Sequence, residues 1–220
     1  MLKSKEKIYI YGTGALSRTA AEIIESNNKF KIAGYIDDNK VKNNYGIKAV
    51  SSEYFLNKIK KGNIIIAIGE NIERKRIFNK FNIKKYQFPN LISKFAKISK
   101  NVKLGKGNLI LSSCVINNSA TIENFCILNS RSLLEHDCYM SSFAQISPST
   151  TICGGCKIGE GAFVGANSTI IQNINAGDWS VIGASSLVLK NIKQKTLNFG
   201  SPSRKIKEIN KNFRVFKSNA

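Results

Sequence analysis

The single histidine of this 220-residue chain, His136, lies between two carboxylates, Glu135 and Asp137, in the stretch SLLEHDC. An imidazole with a pKa of about 6.5 changes charge near neutral pH and can take a proton from an attacking group. Either neighbouring carboxylate can hold the ring through Nδ1 and leave Nε2 free for that transfer. The three residues therefore predict a general base.

A second candidate for chemistry is the C-x-x-C pair formed by Cys153 and Cys156. Such pairs occur in metal sites and in redox centres. No second pair follows at the spacing of a zinc site, and one histidine does not complete a typical ligand set. The sequence therefore predicts no metal ion.

The second half of the chain has a period of six residues. Every sixth residue from Ile98 to Ile170 is aliphatic or methionine, and after Ala176 the phase returns at Ile182 and Val188. This period is typical of a parallel β-helix, in which each hexapeptide forms one short strand and one turn and three hexapeptides form a triangular coil. We expect the aliphatic residues to point inward and to stack on their equivalents in the next coil.

The position two residues before each aliphatic residue carries mostly small side chains, which we expect inside, near a tight corner. Four of the five cysteines fall there: Cys114, Cys126, Cys138 and Cys156. Buried thiols act as small apolar residues, so we do not expect Cys138 to be a nucleophile, while Cys153 is out of phase and is predicted to be a free thiol. His136 follows the inward Leu134 by two residues, which places it at a corner of the coil, pointing outward.

Residues 1–90 have a different pattern, in which strands and helices alternate. Strands are predicted at KIYIYG, KIAGYID, NIIIAIG and KYQF, and helices at ALSRTAAEIIESN, SSEYFLNKIKK and NIERKRIFNKF. This alternation predicts an α/β domain with an open, parallel, Rossmann-like sheet and helices on its faces.

Ligands of such sheets bind at the carboxyl ends of the strands. Three of these ends carry Gly12-Thr13-Gly14, Asp37-Asp38 and Ile68-Gly69. Carboxylates accept hydrogen bonds from ribose hydroxyls or a pyrimidine N–H, and backbone N–H groups at the start of a helix bind phosphate. These residues favour a nucleotide, although a tight strand-to-helix turn would explain the glycines alone. Ser17 replaces the third glycine of a dinucleotide fingerprint, which weighs against a dehydrogenase.

The chain carries 34 Lys and Arg against 14 Asp and Glu, a formal net charge of +20. The basic residues are spread from end to end without a nucleic-acid-binding motif, so small anionic ligands or a charged surface are favoured over nucleic acid. No apolar run approaches the roughly 20 residues of a membrane span, and the first residues lack a secretory signal. A cytoplasmic protein is expected.

The motifs YGTG, YIDD, AIG, LLEHDC, KIGEGAFVGANSTI and GSPSRKI occur in this order between residues 7 and 208. This set resembles the NeuD/PglD-type sugar acetyltransferases of the hexapeptide-repeat acyltransferase family. The resemblance implies a Rossmann-like nucleotide-sugar-binding domain over residues 1–90 and a left-handed parallel β-helix acetyltransferase domain over 91–203, followed by a basic tail over 204–220. It also implies a homotrimer with active sites between neighbouring β-helices.

The resemblance assigns roles to particular residues. It makes His136 the general base and Asp137 its orienting carboxylate. The acetyl-CoA-binding positions it implies are Gly154, whose N–H would meet the thioester carbonyl, and Ala166, Gly183 and Ala184. The nucleotide-sugar-binding positions it implies are Gly12, Gly14, Asp37, Asp38 and Gly69. Where several members have a histidine, this chain has Gln145.

The resulting hypothesis is an acetyl-CoA-dependent N-acetyltransferase of bacterial glycan biosynthesis. Its acceptor would be a UDP- or dTDP-linked 4-amino-4,6-dideoxy sugar, which attacks the thioester directly while His136 takes the proton. One alternative is an O-acetyltransferase acting on a sialic-acid-like sugar. Another is a trimer that binds a nucleotide sugar without catalysis.

Overall fold

The computed structural model describes residues 5–38, 48–81, 84–210 and 213–216. Its first part is a five-stranded parallel sheet with the strand order β3-β2-β1-β4-β5. The strands are β1 (Glu6–Tyr11), β2 (Phe30–Ile36), β3 (Ala49–Val50), β4 (Gly62–Ile66) and β5 (Tyr86–Gln87). The helices are α1 (Ala15–Glu25), α2 (Ser52–Lys58) and α3 (Asn71–Phe78).

The central strands of this sheet are covered on both faces. Ile8 and Ile10 of β1 and the run Ile64–Ile66 of β4 are almost completely buried, as expected for a parallel strand with helices on either side. Helix α2 begins after Ser51, whose Oγ accepts the Tyr54 N–H at 3.1 Å. Serine is a favoured residue at this position, because its hydroxyl satisfies a backbone N–H that has no partner within the helix.

Strand β3 was not predicted from the sequence. It has two residues, both exposed, and it pairs with Tyr35 and Ile36 at the edge of the sheet. So short a segment carries no alternation of apolar and polar residues, and its pairing alone makes it a strand. The predicted α/β domain and the parallel β-helix that follows it are both confirmed.

The second part is a β-helix of the left-handed hexapeptide type with three parallel faces. We name them face A, face B and face C in the order in which the chain visits them. Face A contains β6 (Leu91–Ile92), β9 (Leu109–Ile110), β12 (Ile127–Leu128), β15 (Gln145–Ile146), β18 (Phe163–Val164) and β21 (Val181–Ile182). Face B contains β7 (Lys97–Ile98), β10 (Val115–Ile116), β13 (Leu133–Leu134), β16 (Thr151–Ile152), β19 (Thr169–Ile170) and β22 (Leu187–Val188). Face C contains β8 (Lys103–Leu104), β11 (Thr121–Ile122), β14 (Tyr139–Met140), β17 (Lys157–Ile158) and β20 (Asn175–Ala176).

The predicted inward residues form one continuous core. Ile116, Leu134 and Ile152 follow one another up face B in register and are completely buried. The four cysteines predicted at small inward positions are buried as well, and Cys153 is partly exposed.

From Gly107 to Ser185, each corner of the β-helix is turned by a residue with positive φ, three residues after the inward aliphatic. This left-handed conformation costs an L-residue roughly 1–2 kcal/mol, and most of these residues are not glycine. They are Gly107, Ser113, Ser119, Phe125, Arg131, Asp137, Phe143, Ser149, Gly155, Gly161, Asn167, Asn173, Trp179 and Ser185. Hydrogen bonds between coils, such as Asp137 N–H to Asn118 O at 3.1 Å, hold them in this conformation.

The α/β part packs on face A of the β-helix. The link is Arg74 of α3, whose buried guanidinium donates to Phe125 O at 2.8 Å and to Phe143 O at 2.7 Å. It also donates to Ile68 O and to Asn71 Oδ1 within its own domain. Burial lowers the pKa of Arg74 to about 10, so the side chain stays charged at neutral pH.

The segment predicted as a basic tail is more ordered than expected. Strand β24 (Arg204–Glu208) pairs antiparallel with β23 (Thr196–Phe199), which extends face A. Residues 213–216 then return to the α/β part, where Arg214 pairs with Glu73 at 3.2 Å. In the described ranges, no helix is long and apolar enough to cross a bilayer.

Candidate active site

The predicted base lies on the corner between faces B and C. His136 Nδ1 is 2.8 Å from Asp137 Oδ2, and the two side chains are 63% and 65% exposed. Asp137 is the corner residue with φ of +59°, and this backbone turn brings its carboxylate beside the ring of the preceding residue. The ring is therefore held through Nδ1, and among the described residues Nε2 has no hydrogen-bond partner.

The charge around the ring favours protonation. The hydrogen bond that Asp137 accepts from the ring, supported by the negative charges of Asp137 and Glu135, raises the pKa of His136 above its ordinary value. Glu135 does not contact the ring through a hydrogen bond. Its Oε2 accepts from Asn117 Nδ2 at 2.8 Å, one coil below, so of the two flanking carboxylates it is Asp137 that holds the imidazole.

Gly154 lies one coil above His136, directly against the imidazole ring. A Cβ built on Gly154 would fall 2.6 Å from His136 Cε1 and 2.7 Å from Nε2, which is far inside van der Waals contact. The imidazole can therefore occupy this position only because Gly154 has no side chain. It also leaves the Gly154 backbone next to the base, where the predicted contact with a thioester carbonyl requires it.

The other predicted acetyl-CoA positions lie elsewhere on the same chain. Ala166 and Ala184 are stacked neighbours on the corner between faces A and B, where Ser185 N–H donates to Ala166 O at 2.8 Å. Gly183 is buried beside them, and a Cβ there would fall 1.9 Å from the Phe199 ring. Face B separates this corner from His136, so a single chain does not bring the two sets together.

Cys138 is not available for covalent catalysis. Its side chain is 1% exposed, and its Sγ donates to Cys153 O at 3.2 Å. A hydrogen bond with Cys156, together with burial, raises the pKa of the Cys138 thiol. A buried protonated thiol is a poor nucleophile. Across the described residues, no group of three or more His, Cys, Asp or Glu side chains is arranged to hold a metal ion.

The predicted nucleotide positions gather at the carboxyl edge of the parallel sheet. Gly12 follows β1 with φ of +115°, and a Cβ there would fall 2.8 Å from Ser17 Oγ and 2.9 Å from Ile68 Cδ1. Gly14 is the N-cap residue of α1, and a Cβ built on it would have no neighbouring atom within 4 Å. The start of α1 is therefore free of bulky groups and suits a phosphate.

The two adjacent aspartates differ in their surroundings. Asp37 accepts from Thr13 Oγ1 at 2.7 Å, within the turn after β1. Asp38 is held by groups of its own domain: Tyr11 OH at 2.6 Å, Ser52 N–H at 2.7 Å and Lys80 Nζ at 2.5 Å.

Partial burial works to raise the pKa of Asp38, but the hydrogen bonds from Lys80, Tyr11 and Ser52 outweigh it and hold the pKa well below its usual range. The sequence alone indicated that Asp37 and Asp38 are two equivalent ligand-binding carboxylates. The structure shows that Asp38 is satisfied within the fold, and that the carboxylate beside the glycine turn is Asp37.

Two further features have no role predicted from the sequence. Gln145, at the position where several members of the resembled family have a histidine, is 3% exposed on face A, and its Oε1 has no described partner. A cavity of about 500 Å³ lies between α3, the Trp179 corner and the C-terminal segment. None of its lining residues is a predicted site residue, and its Lys75 is paired with Glu160 at 2.5 Å.

The chain thus combines an α/β domain that has an open glycine turn with a hexapeptide β-helix that carries a histidine on its corner. Residues 7–81 match the profile of the PglD N-terminal domain. Residues 137–172 match that of the bacterial transferase hexapeptide, six repeats. The predicted resemblance to the PglD-type sugar acetyltransferases, and the prediction of an acyltransferase, are confirmed.

Solved structures share this architecture. A GDP-perosamine N-acetyltransferase from Caulobacter crescentus, in complex with CoA and GDP-perosamine, is 22% identical with a TM-score of 0.85 over 92% of this chain and 97% of its own. The acetyltransferase domain of PglB from Neisseria gonorrhoeae, in complex with acetyl coenzyme A, is 22% identical with a TM-score of 0.85 over 92% and 100%. WeeI from Acinetobacter baumannii is 20% identical with a TM-score of 0.78 over 90% and 99%. At these identities the likeness shows a common fold.

Proposed function

We propose that this protein transfers the acetyl group of acetyl-CoA to the amino group of a nucleotide-linked 4-amino-4,6-dideoxy sugar, in bacterial glycan biosynthesis. The observation that carries the proposal is the His136–Asp137 pair, which is exposed on a β-helix corner beside a glycine that leaves room for the ring. Structural neighbours with CoA and GDP-perosamine, and with acetyl coenzyme A, support the choice of both substrates.

The chemistry is a direct acyl transfer. The neutral amine of the sugar attacks the thioester carbonyl carbon, and His136 Nε2 takes the proton that the nitrogen loses. The backbone N–H of Gly154 stabilises the negative charge on the carbonyl oxygen. The tetrahedral intermediate then expels the CoA sulfur, which receives the proton from the imidazolium, and the products are an amide and a free thiol.

Asp137 stabilises the imidazolium formed in the first step and keeps Nε2 outward. No acyl-enzyme is formed, in agreement with the burial of Cys138. Much of the acceleration would come from holding the two substrates next to each other.

The complete site would use two copies of the chain. His136 and Gly154 lie on one edge of face B, while Ala166 and Ala184 lie on the other. A homotrimer that sets the first edge of one β-helix beside the second edge of its neighbour would join them around one acetyl-CoA. The α/β part covers face A and leaves both edges accessible for this association.

The nucleotide would bind at the carboxyl edge of the sheet. The start of α1 after Gly14 would receive the phosphates, and Asp37 would accept a hydrogen bond from the ribose or the base. We favour UDP or dTDP as the nucleotide. A neighbouring N-acyltransferase from Bacillus cereus, in complex with dTDP and coenzyme A, has a TM-score of 0.51 and is 20% identical.

A thiol-release assay with acetyl-CoA tests the proposal against a panel of UDP-, dTDP- and GDP-linked 4-amino sugars and a free sialic acid. We expect CoA release with a nucleotide-linked amino sugar and an N-acetylated product by mass spectrometry. His136→Ala should lower kcat by about 10²–10⁴ with acetyl-CoA affinity preserved. Acetylation of the free sialic acid on oxygen, with the amino sugars inert, would replace this function by the O-acetyltransferase alternative. If acetyl-CoA is never consumed while a nucleotide sugar binds, the non-catalytic alternative holds.

A further inference from the structure

The α/β sheet changes direction between β1 and β4. After β1, the chain adds β2 and then β3 on one side of that strand. It then crosses to the other side of β1, where it adds β4 and β5. The crevice outside the carboxyl ends at such a switch point is where open α/β sheets bind their ligands. Its two walls here are the Gly12 turn and the β4–α3 connection, and they touch, since a Cβ on Gly12 would fall 2.9 Å from Ile68 Cδ1.

The C-terminal segment reaches the β4–α3 wall of this crevice. A Cβ on Gly69 would lie 3.5 Å from the Phe216 ring, which is the nearest described group. The segment is anchored by Glu70, whose Oε2 accepts the N–H groups of Val215 at 2.9 Å and Phe216 at 3.1 Å. Arg214 adds an ion pair with Glu73. These contacts fix the backbone of Phe216 beside Gly69, which has no side chain.

Packing alone does not explain the position of this ring. Phe216 is 53% exposed. Its contact with Phe163 is edge-to-face, with centroids 5.4 Å apart and an interplanar angle of 87°, which leaves aromatic surface open to solvent. A half-exposed aromatic ring at the mouth of a nucleotide crevice is a platform on which a base can stack.

We propose that Phe216 is a ligand-contacting residue of the nucleotide site, and that its ring stacks on the base of the bound nucleotide sugar. The inference rests on the proposed function and deepens it, because it assigns the base-binding wall to the far C-terminus of the chain. Stacking is tolerant of the identity of the base, since every base presents a π-face. Phe216 would therefore supply affinity, and hydrogen bonds elsewhere in the crevice would choose among bases.

Calorimetry with UDP, dTDP and GDP tests the inference on the full-length protein. Phe216→Ala and Phe216→Leu should weaken the tightest of the three nucleotides by about 10-fold or more, while Phe216→Tyr should bind it as the wild type does. The KM for acetyl-CoA should not change in any variant. Glu70→Ala, which releases the anchor, should weaken the nucleotide in the same direction. Phe95→Ala is the matched control, because it removes a 66% exposed aromatic ring from a β-helix corner away from the site.

The outcomes separate the inference from the function on which it rests. If the wild type binds a nucleotide and Phe216→Ala binds it equally well, the stacking role is wrong and the transferase function stands. Full recovery by Phe216→Leu would make the ring an apolar spacer, and tighter binding by Phe216→Ala would make it an obstruction; either result overturns the inference. If the wild type binds none of the three nucleotides and acetylates no nucleotide-linked sugar, the proposed function fails with it.

Discussion

Asp137 combines two roles at one position. Its backbone turns the corner at φ of +59°, and its carboxylate holds His136 Nδ1 at 2.8 Å. Asparagine tolerates the left-handed conformation better than most residues. The substitution Asp137→Asn therefore keeps the turn and removes the charge, whereas alanine would change both.

We expect Asp137→Asn to shift the pH profile of catalysis. The hydrogen bond from the imidazole to Asp137 raises the pKa of His136, and the base must be neutral to act. Wild-type kcat/KM should therefore rise with pH through that raised pKa. Without the carboxylate the pKa of His136 falls, and the acid limb should move to lower pH. The plateau should also drop, by less than in His136→Ala. Steady-state rates between about pH 5 and 9 measure both effects, and an unmoved acid limb would contradict the assigned role of Asp137.

Gly154 offers a test of the ring's position by a single methyl group. In Gly154→Ala, the added Cβ would overlap the imidazole at 2.6–2.7 Å, so His136 must rotate away and the bond to Asp137 must break. We expect kcat to fall by about 10-fold or more, with an unchanged melting temperature because His136 is exposed. Gly62→Ala is the control, since its Cβ would meet only the Tyr9 ring at an ordinary 3.6 Å. Normal activity of Gly154→Ala would show that the ring does not act from this position.

At the scale of elements, Asp38 ties together the strands and helices at the carboxyl edge of the sheet. Its partners come from β1, the start of α2 and the turn after α3: Tyr11, Ser52 and Lys80. Removal of this carboxylate leaves a buried hydroxyl and a backbone N–H without an acceptor, at a cost of about 1–3 kcal/mol for an unsatisfied buried group. We therefore expect the two aspartates to differ in role. Asp38 organises this edge of the sheet, and Asp37 is the carboxylate proposed to bind a ligand.

Asp38→Ala should accordingly lower the melting temperature, and Asp37→Ala should mainly raise the KM of the nucleotide sugar. The stability from Asp38 also depends on pH. Its pKa is lowered in the folded state, so the contribution is present above the unfolded pKa of about 3.9 and is lost as the pH falls through and below that value. Thermal unfolding of both variants between about pH 3 and 7 measures this. Equal melting temperatures at neutral pH would rule out the structural role.

At the scale of the whole molecule, the two parts are locked together while the β-helix edges stay open. Arg74 satisfies carbonyl groups on both sides of the domain boundary from a fully buried position. The edges of face B, by contrast, carry His136 on one side and the exposed Ala184 on the other. The buried guanidinium therefore holds the α/β part on the β-helix, while both edges of face B stay exposed for the second copy that the proposed site requires.

We expect a trimer in solution. Sedimentation at micromolar concentration should give about three times the 24.4 kDa mass of the chain. Mixing His136→Ala protein with Ala184→Glu protein, after dissociation and reassembly, should restore some activity if the two residues serve the same site from different chains. A stable monomer with full activity would contradict both the assembly and the shared site.

The local pattern of the sequence determined the two-part architecture. Thirteen aliphatic or methionine positions spaced by six, from Ile98 to Ile170, left one economical fold, because only a coil of that period stacks them all inward. The same phase placed four cysteines inside and His136 on a corner, pointing out. These conclusions held because each depends on the position of a residue within its own repeat.

Tertiary structure decided which groups meet across the repeats and across the domain boundary. Gly154, which lies against the His136 ring, comes from the next coil, 18 residues away. The groups that satisfy Asp38 come from β1, α2 and the turn after α3. The return of Phe216 to the strand end at Gly69 joins residues almost 150 positions apart. A repeat pattern in the sequence does not predict such contacts. They depend on how whole helices, strands and coils pack against one another, and not on the position of a residue within its own repeat.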